Sequence, residues 1–398
     1  MDHPVAARIA DLGYAMRHFL DFLESSNYRE RSSHPDINDF AVGNPQEMPL
    51  PEFVSALQRA AEPHGKDWFA YKFSETNAQE TVAGALRDEL GIPFEPDDIA
   101  MTPGAFGALV LAMQVLIDPG DEVIINLPPW FFYELVIVNA GGTAVKVPVD
   151  RQTFDLDIDA IAAAITPRTR AIIVNTPNNP TGKIYPAATL ERLAAVLDEA
   201  SERNGRRIYL ISDEPYRKID FSGKPFPTPL AYYDYAVMSY SYGKILLAPG
   251  QRVGYLALPP TMPDRGVMRA AIQTAQIAGG FLFPNALLQH AIADLESLSI
   301  DLDGLRRKRD WMVSALSEMG YDVHAPEGTF YLLPRSPLED DIAFVRMLSD
   351  RNILCLPGTV LEFPGFFRIS LTASDEMIER SLTGFANAFV AAKTTAAA

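Results

Sequence analysis

A lysine, Lys244, stands in the stretch SYSYGKILLAPGQRVGY (239–255) between a serine- and tyrosine-rich lead and Arg252. Taken by itself such a residue is a solvated loop cation, although a lysine amine can also attack a carbonyl or carry a proton. Four other short stretches bear chemistry of different kinds. TPGAFGAL (102–109) presents Gly104, Ala105 and Phe106 at what reads as a helix start, where free backbone N–H groups suit a phosphate. PPWFFY (128–133) is an aromatic cluster that supplies a ring for stacking on a planar ligand or packs in the core. TPNNPTGKIY (176–185) uses two prolines and Gly182 to force irregular backbone, leaving the Asn179 amide to donate or accept. DEPY (213–216) sets Asp213 at the end of a buried strand, where a lone carboxylate is costly and calls for a cationic partner.

TPGAFGAL follows the segment DIAM (98–101), and the other four stretches follow short runs rich in β-branched residues, DEVIINL (121–127), AIIVN (171–175), IYLIS (208–212) and AVMSYS (236–241), with TAVKVPV (143–149) and VGYLAL (253–258) completing the set. Helix-like patterns lie between them, as in ATLERLAAVLDEASERNG (188–205), apolar at 193, 196 and 197 and closed by Gly205. Alternation of this kind predicts an α/β fold with a mostly parallel sheet covered by helices on both faces, over residues 46–285. Ligands bind such sheets beyond the carboxyl ends of the strands. Donors, an aromatic plate, an amide, a carboxylate and an amine therefore converge on one edge, and pyridoxal 5'-phosphate, a flat phosphorylated heterocycle carrying an aldehyde, would use all of them.

From 286 onward two amphipathic helices, broken near 300, precede FYLLP, ILCLP and FFRISLT, which read as strands of a smaller α+β domain (286–398). Residues 1–45 are expected to pack with it, and the tail AAKTTAAA to fray.

With 398 residues, 48% hydrophobic and 21% charged, the chain can bury a substantial core. Its net charge of −17 argues against a nucleic-acid or anionic-membrane partner. Its one cysteine, Cys355, permits no internal disulfide, and six scattered histidines give no support to a metal site. The N-terminus lacks the apolar run of a signal peptide, and AFGALVLAMQVLI (105–117) is too short to span a bilayer, so a cytoplasmic protein without a membrane partner is expected.

The ordered set NTPNNPTG (175–182), SDEPY (212–216) and SYGKILLAPGQRVGY (241–255), together with GNP (43–45), Tyr71, TPGA (102–105), PGTVLEF (357–363) and FRIS (367–370), resembles the fold type I pyridoxal-phosphate enzymes of the aspartate aminotransferase superfamily, class I/II, over nearly the whole chain. The resemblance implies that Lys244 bonds the cofactor's aldehyde and shuttles the Cα proton, and that Asp213 keeps the ring nitrogen protonated. It implies that Tyr216 and Asn179 hold the ring's phenolic oxygen and that Trp130 covers the ring face. Gly104, Ala105, Ser241 and Arg252 would hold the phosphate, with Phe106 beside them and Tyr71 reaching in from the second subunit of a homodimer. Arg368 would grip the substrate α-carboxylate, with the backbone around Gly43 closing over it. The chain departs from many relatives in having Gly243 before the lysine, and in lacking a glycine in KFSETNAQE after Tyr71.

The activity so implied is a ping-pong aminotransfer between an L-amino acid and a 2-oxo acid. A lyase or synthase of the same fold, acting by elimination, replacement or carbon–carbon bond formation, is the alternative. A non-catalytic regulator is disfavoured, because the short N-terminal segment leaves no room for a DNA-binding domain. The segment IQTAQIAGGFLFPNALLQ (272–289) has no cation, and Phe281, Leu282 and Phe283 at its middle predict a neutral or apolar donor side chain unless Arg29, Arg31 or Lys72 reaches the pocket.

Overall fold

The first strand, β1 (Asn38–Asp39), lies outside the main sheet, which is built from β2 (Ile99–Thr102), β3 (Glu122–Leu127), β4 (Thr143–Pro148), β5 (Thr169–Asn175), β6 (Tyr209–Asp213), β7 (Ala236–Ser241) and β8 (Gly254–Ala257). The structure is a computed structural model, and it describes residues 4–6, 9–10, 12–13, 16–26, 28–280 and 283–396. The seven strands lie in the order β2-β8-β7-β6-β5-β3-β4. Only β8 pairs antiparallel with its neighbours, so the α/β architecture read from the sequence is the one observed.

Successive strand residues point to opposite faces, and here both faces are apolar. Val123, Ile125, Ala171, Ile173, Ile211 and Val237 pack against the helices Gly104–Leu116 and Arg265–Gly279. Ile124, Ile172, Val174, Leu210 and Met238 face the other way, toward Ala187–Asn204, Thr76–Leu90 and Ala286–Leu295. Burial on both sides explains why the strands read as continuous β-branched runs. Helix ends follow local rules: Gly205 closes Ala187–Asn204 at φ 61°, and the Asp301 side chain caps Leu302–Met319 by accepting from the Gly304 N–H at 2.9 Å.

Toward the C-terminus, β9 (Tyr331–Leu332), β10 (Ile353–Leu354), β11 (Leu356–Pro357) and β12 (Phe367–Ser370) are short. β12 pairs antiparallel with both β9 and β11, while β10 pairs parallel with β1, which carries the N-terminal segment. That segment also touches the main sheet's loops, since Phe19 of the helix Arg17–Ser25 stacks on Phe131 at 4.7 Å. Among the described residues no helix is long and apolar enough to cross a membrane.

Candidate active site

The parallel strands deliver their last residues to one edge. There Ala105, Phe106, Trp130, Asn175, Asn179, Asp213, Tyr216, Ser241, Lys244 and Arg252 line a cavity of about 170 Å³. Asp213, the final residue of β6, is buried. Its Oδ2 accepts a hydrogen bond from the Tyr133 hydroxyl at 2.6 Å, and its Oδ1 has no hydrogen-bond partner among the described residues. Ser239, nearby, donates its hydroxyl to the Ala105 carbonyl instead, at 3.1 Å. Burial pushes the Asp213 carboxyl up to about 6, against the pull of the Tyr133 hydroxyl and the Lys244 charge. The cationic partner expected for Asp213 is thus replaced, within this chain, by a phenol on one oxygen and an open second oxygen.

Lys244 lies in the helical turn Tyr242–Ile245 that directly follows β7. Its Nζ sits 5.6 Å from the centre of the Tyr216 ring and 5.9 Å from that of Phe330, a semi-enclosed aromatic setting. The turn is fastened from behind. Tyr242 donates its hydroxyl to Glu296, and Ile300 N–H donates to the Ile245 carbonyl at 3.0 Å. Gly243 is explained by packing, because a Cβ there would lie 3.0 Å from Pro249 Cα.

Gly104 opens its helix at φ 74°, in the left-handed region that glycine tolerates. A Cβ on it would come 3.0 Å from Arg252 Nη2 and 3.4 Å from Ser241 Oγ, so the helix start, hydroxyl and guanidinium form one cradle. Partial burial lowers the Arg252 pKa; its Nη1 donates to the Pro249 carbonyl at 2.6 Å, and no carboxylate pairs with it among the described residues.

Joined to the cavity through Asn179, Arg368 of β12 donates to Asn179 Oδ1 at 3.0 Å and to the Ala41 carbonyl at 2.8 Å, while its buried Nε has no partner among the described residues. The guanidinium lies over the Tyr331 ring, 4.2 Å from its centre. Gly43 is pressed against the same tyrosine, for an added Cβ would overlap the Tyr331 hydroxyl. Burial raises both Tyr216 and Tyr331, but Arg368 and Lys244 outweigh it at Tyr331, whose pKa falls below the usual phenol value while that of Tyr216 rises. Tyr71 alone among the expected residues is fully exposed and lies away from the cavity.

Three contributors escaped sequence reasoning. Tyr133 closes the aromatic stretch, where nothing marked its hydroxyl for Asp213. Asn175 ends β5, donates to the Asp213 carbonyl at 2.8 Å and accepts from the Asn179 N–H at 2.7 Å. Tyr331 sat in FYLLP, readable only as a strand. The expected apolar lining also differs: Phe283 packs edge-on against Phe73, 5.1 Å between centres, and lines a separate recess with Gln79 and Arg269. Phe281 and Leu282 lie outside the described residues.

The model of the aminotransferase class I and II family matches residues 35–385. The chain belongs to that family. Members use pyridoxal phosphate, and the enzyme is an aminotransferase. Among similar proteins, the aspartate/prephenate aminotransferase of Thermus thermophilus is 30% identical over 364 residues, covering 88% of this chain and 90% of that protein. A probable N-succinyldiaminopimelate aminotransferase of Mycobacterium tuberculosis is 31% identical over 320 residues, 78% of each chain. The solved structure of an amino transferase from Eubacterium rectale superposes with a TM-score of 0.91 at 28% identity, covering 98% of this chain and 99% of that one. These aminotransferase relatives do not favour the lyase or synthase alternative.

Proposed function

We propose that this aminotransferase holds pyridoxal 5'-phosphate at the strand-end cavity and exchanges an amine between an L-amino acid and a 2-oxo acid in a ping-pong cycle. The observation that carries the reading is the open Oδ1 of Asp213, buried in the cavity that Lys244 also lines. A buried carboxylate oxygen without a donor is costly unless a ligand completes it, and a protonated ring nitrogen is a fitting donor. The cradle of Gly104, Ala105, Ser241 and Arg252 suits the phosphate, with amides and guanidinium supplying charge-assisted hydrogen bonds. Tyr216 and Asn179 hold the phenolic oxygen, and Trp130, with Phe106 at its edge, covers a ring face.

When bound, the cofactor supplies an electron sink for the pair released at the substrate's Cα. The protein's share is positional. Asp213 would keep a proton at the ring nitrogen, Lys244 would hold the aldehyde end of the cofactor and, with its amine free, carry the Cα proton, and Arg368 would pair with the α-carboxylate beneath the backbone around Gly43. Exposed Tyr71, flanked by exposed Phe69 and Phe73, supports a homodimer in which it reaches the second subunit's phosphate. We take residues 46–285 as the cofactor-bearing domain, with 1–45 packed on the small domain 286–398. Soluble, cytoplasmic operation follows from the same reading.

Borohydride reduction of the holoenzyme tests it directly. The cofactor should end covalently attached to the peptide containing Lys244, and attachment at any other lysine overturns the assignment.

A further inference from the structure

This inference rests on the aminotransfer reading and concerns the donor's side chain. The cavity holds two cations, Lys244 and Arg252, with Arg368 reaching its rim through Asn179. Each already has a partner in the reaction: the aldehyde, the phosphate and the α-carboxylate. No described cation of this chain is left at the cavity for a second carboxylate. Of the three candidates from the sequence two are engaged elsewhere and none lines the cavity. Arg31 donates to the Ser349 carbonyl at 2.7 Å, Lys72 pairs with Glu75 at 3.1 Å, and Arg29 lines a distant recess beside Leu20 and Glu24.

What the chain does present there is aromatic. Phe106 is 38% exposed, an unusual state for a large apolar ring at a helix start. It meets Trp130 edge-on at 5.2 Å and 83°, and Trp130 meets Phe132 in the same manner at 5.1 Å and 79°. Phe131 packs on Phe132 at 4.4 Å and is itself backed by Phe19 from the N-terminal helix. The cluster is therefore braced from two sides, with one ring left open to solvent.

We propose that the preferred amino donor is an aromatic amino acid, its ring seated edge-to-face in the cluster of Phe106, Trp130 and Phe132. A ring placed there continues an arrangement that aromatic pairs favour, whereas a carboxylate would be stripped of water against apolar walls with no counter-charge. Discrimination against aliphatic donors is weaker, since both bury apolar area.

The test uses the holoenzyme in single-turnover half-reactions, which need no acceptor. L-phenylalanine should exceed L-aspartate in kcat/KM by at least about tenfold, or about 1.4 kcal/mol. A smaller or reversed ratio overturns the inference. Calorimetry supplies a readout independent of turnover: 3-phenylpropionate should bind at least about tenfold more tightly than succinate, and Phe106→Leu should narrow that ratio more than Phe283→Leu does. Tighter binding of succinate, or equal effects of the two substitutions, counts against the aromatic seat. If neither amino acid loses its amine, the aminotransfer reading fails instead, and the calorimetric comparison still decides the side-chain preference.

Discussion

Asp213 and Glu214 are adjacent, both fully buried and both raised by that burial, yet they face different worlds. Glu214 Oε1 accepts from the Ser212 and Thr228 hydroxyls, each at 2.7 Å, while its Oε2 makes no hydrogen bond among the described residues and is met only by the Arg217 charge at 3.6 Å. Arg217 continues to Glu89 at 3.0 Å, and Lys218 bridges Glu89 to Glu296, the residue that anchors Tyr242 beneath the lysine turn. Asp213 looks the other way, into the cavity, with one oxygen open. Both carboxylates therefore keep one oxygen without a hydrogen bond, but Glu214 has a cation of its own chain beside it, as a scaffold carboxylate requires, whereas Asp213 has none within ion-pair distance among the described residues and borders the cavity.

The sharpest way to break this comparison is by rate. Asp213→Asn should slow single-turnover Cα deprotonation by roughly 10³-fold or more, about 4 kcal/mol, while Glu214→Gln, which keeps its hydroxyl partners, should cost less than about tenfold. Similar losses in the two variants would erase the distinction.

Stability should reverse the order. Glu214→Ala leaves Arg217 buried without its near carboxylate and should lower unfolding free energy by about 3–5 kcal/mol in urea titration. Asp213→Asn should instead stabilise the cofactor-free protein above about pH 4. The folded Asp213 carboxyl is raised from 3.8 to about 6, so the native state holds its proton more tightly than the unfolded chain. Its favourable share is full below about pH 4 and lost as pH rises through 6, which amounts to about 3 kcal/mol at 1.36 kcal/mol per pH unit. Melting curves of the apoprotein should show the variant's advantage at both pH 5 and pH 8, about half as large at pH 5 as at pH 8.

Arg368→Lys keeps the charge but loses the planar fork that joins Asn179 and Ala41. KM for the amino donor should rise about 30-fold with kcat changed far less, since the interaction holds substrate before and during reaction. Equal changes in both constants would move Arg368 into the reacting group of residues.

The smallest effect is expected at Tyr331, whose hydroxyl is held below its ordinary pKa by the charges of Arg368 and Lys244 against its burial. Tyr331→Phe should lower kcat/KM only about threefold and move the alkaline limb of the pH–rate profile upward, because the phenol that ionises early is gone. An unchanged alkaline limb would leave Tyr331 as packing alone.

Much of this was open to inspection in the chain itself. Strands buried on both faces must be apolar along their length, so β3, β5, β6 and β7 announced themselves within a residue or two of their observed ends. Prolines, glycines and polar residues crowd where those strands stop, because a ligand edge needs irregular backbone and unsatisfied groups. Lys244, Asp213, Asn179 and Arg252 all stand in such stretches, and all four line the cavity. Partnerships across the fold were not legible. Tyr133 and Asp213 are 80 positions apart, and Arg368 and Asn179 are 189 apart. No local pattern distinguishes a phenylalanine that walls a cavity, as Phe106 does, from one that packs on a neighbour, as Phe283 does. The sequence by itself determined the layered sheet and the kinds of groups at its edge, because period and residue type act locally. Which oxygen of Asp213 stays open, which tyrosine shares Arg368 and which rings line the cavity depend on the tertiary structure, since each requires side chains from distant elements to meet at a few ångströms' separation.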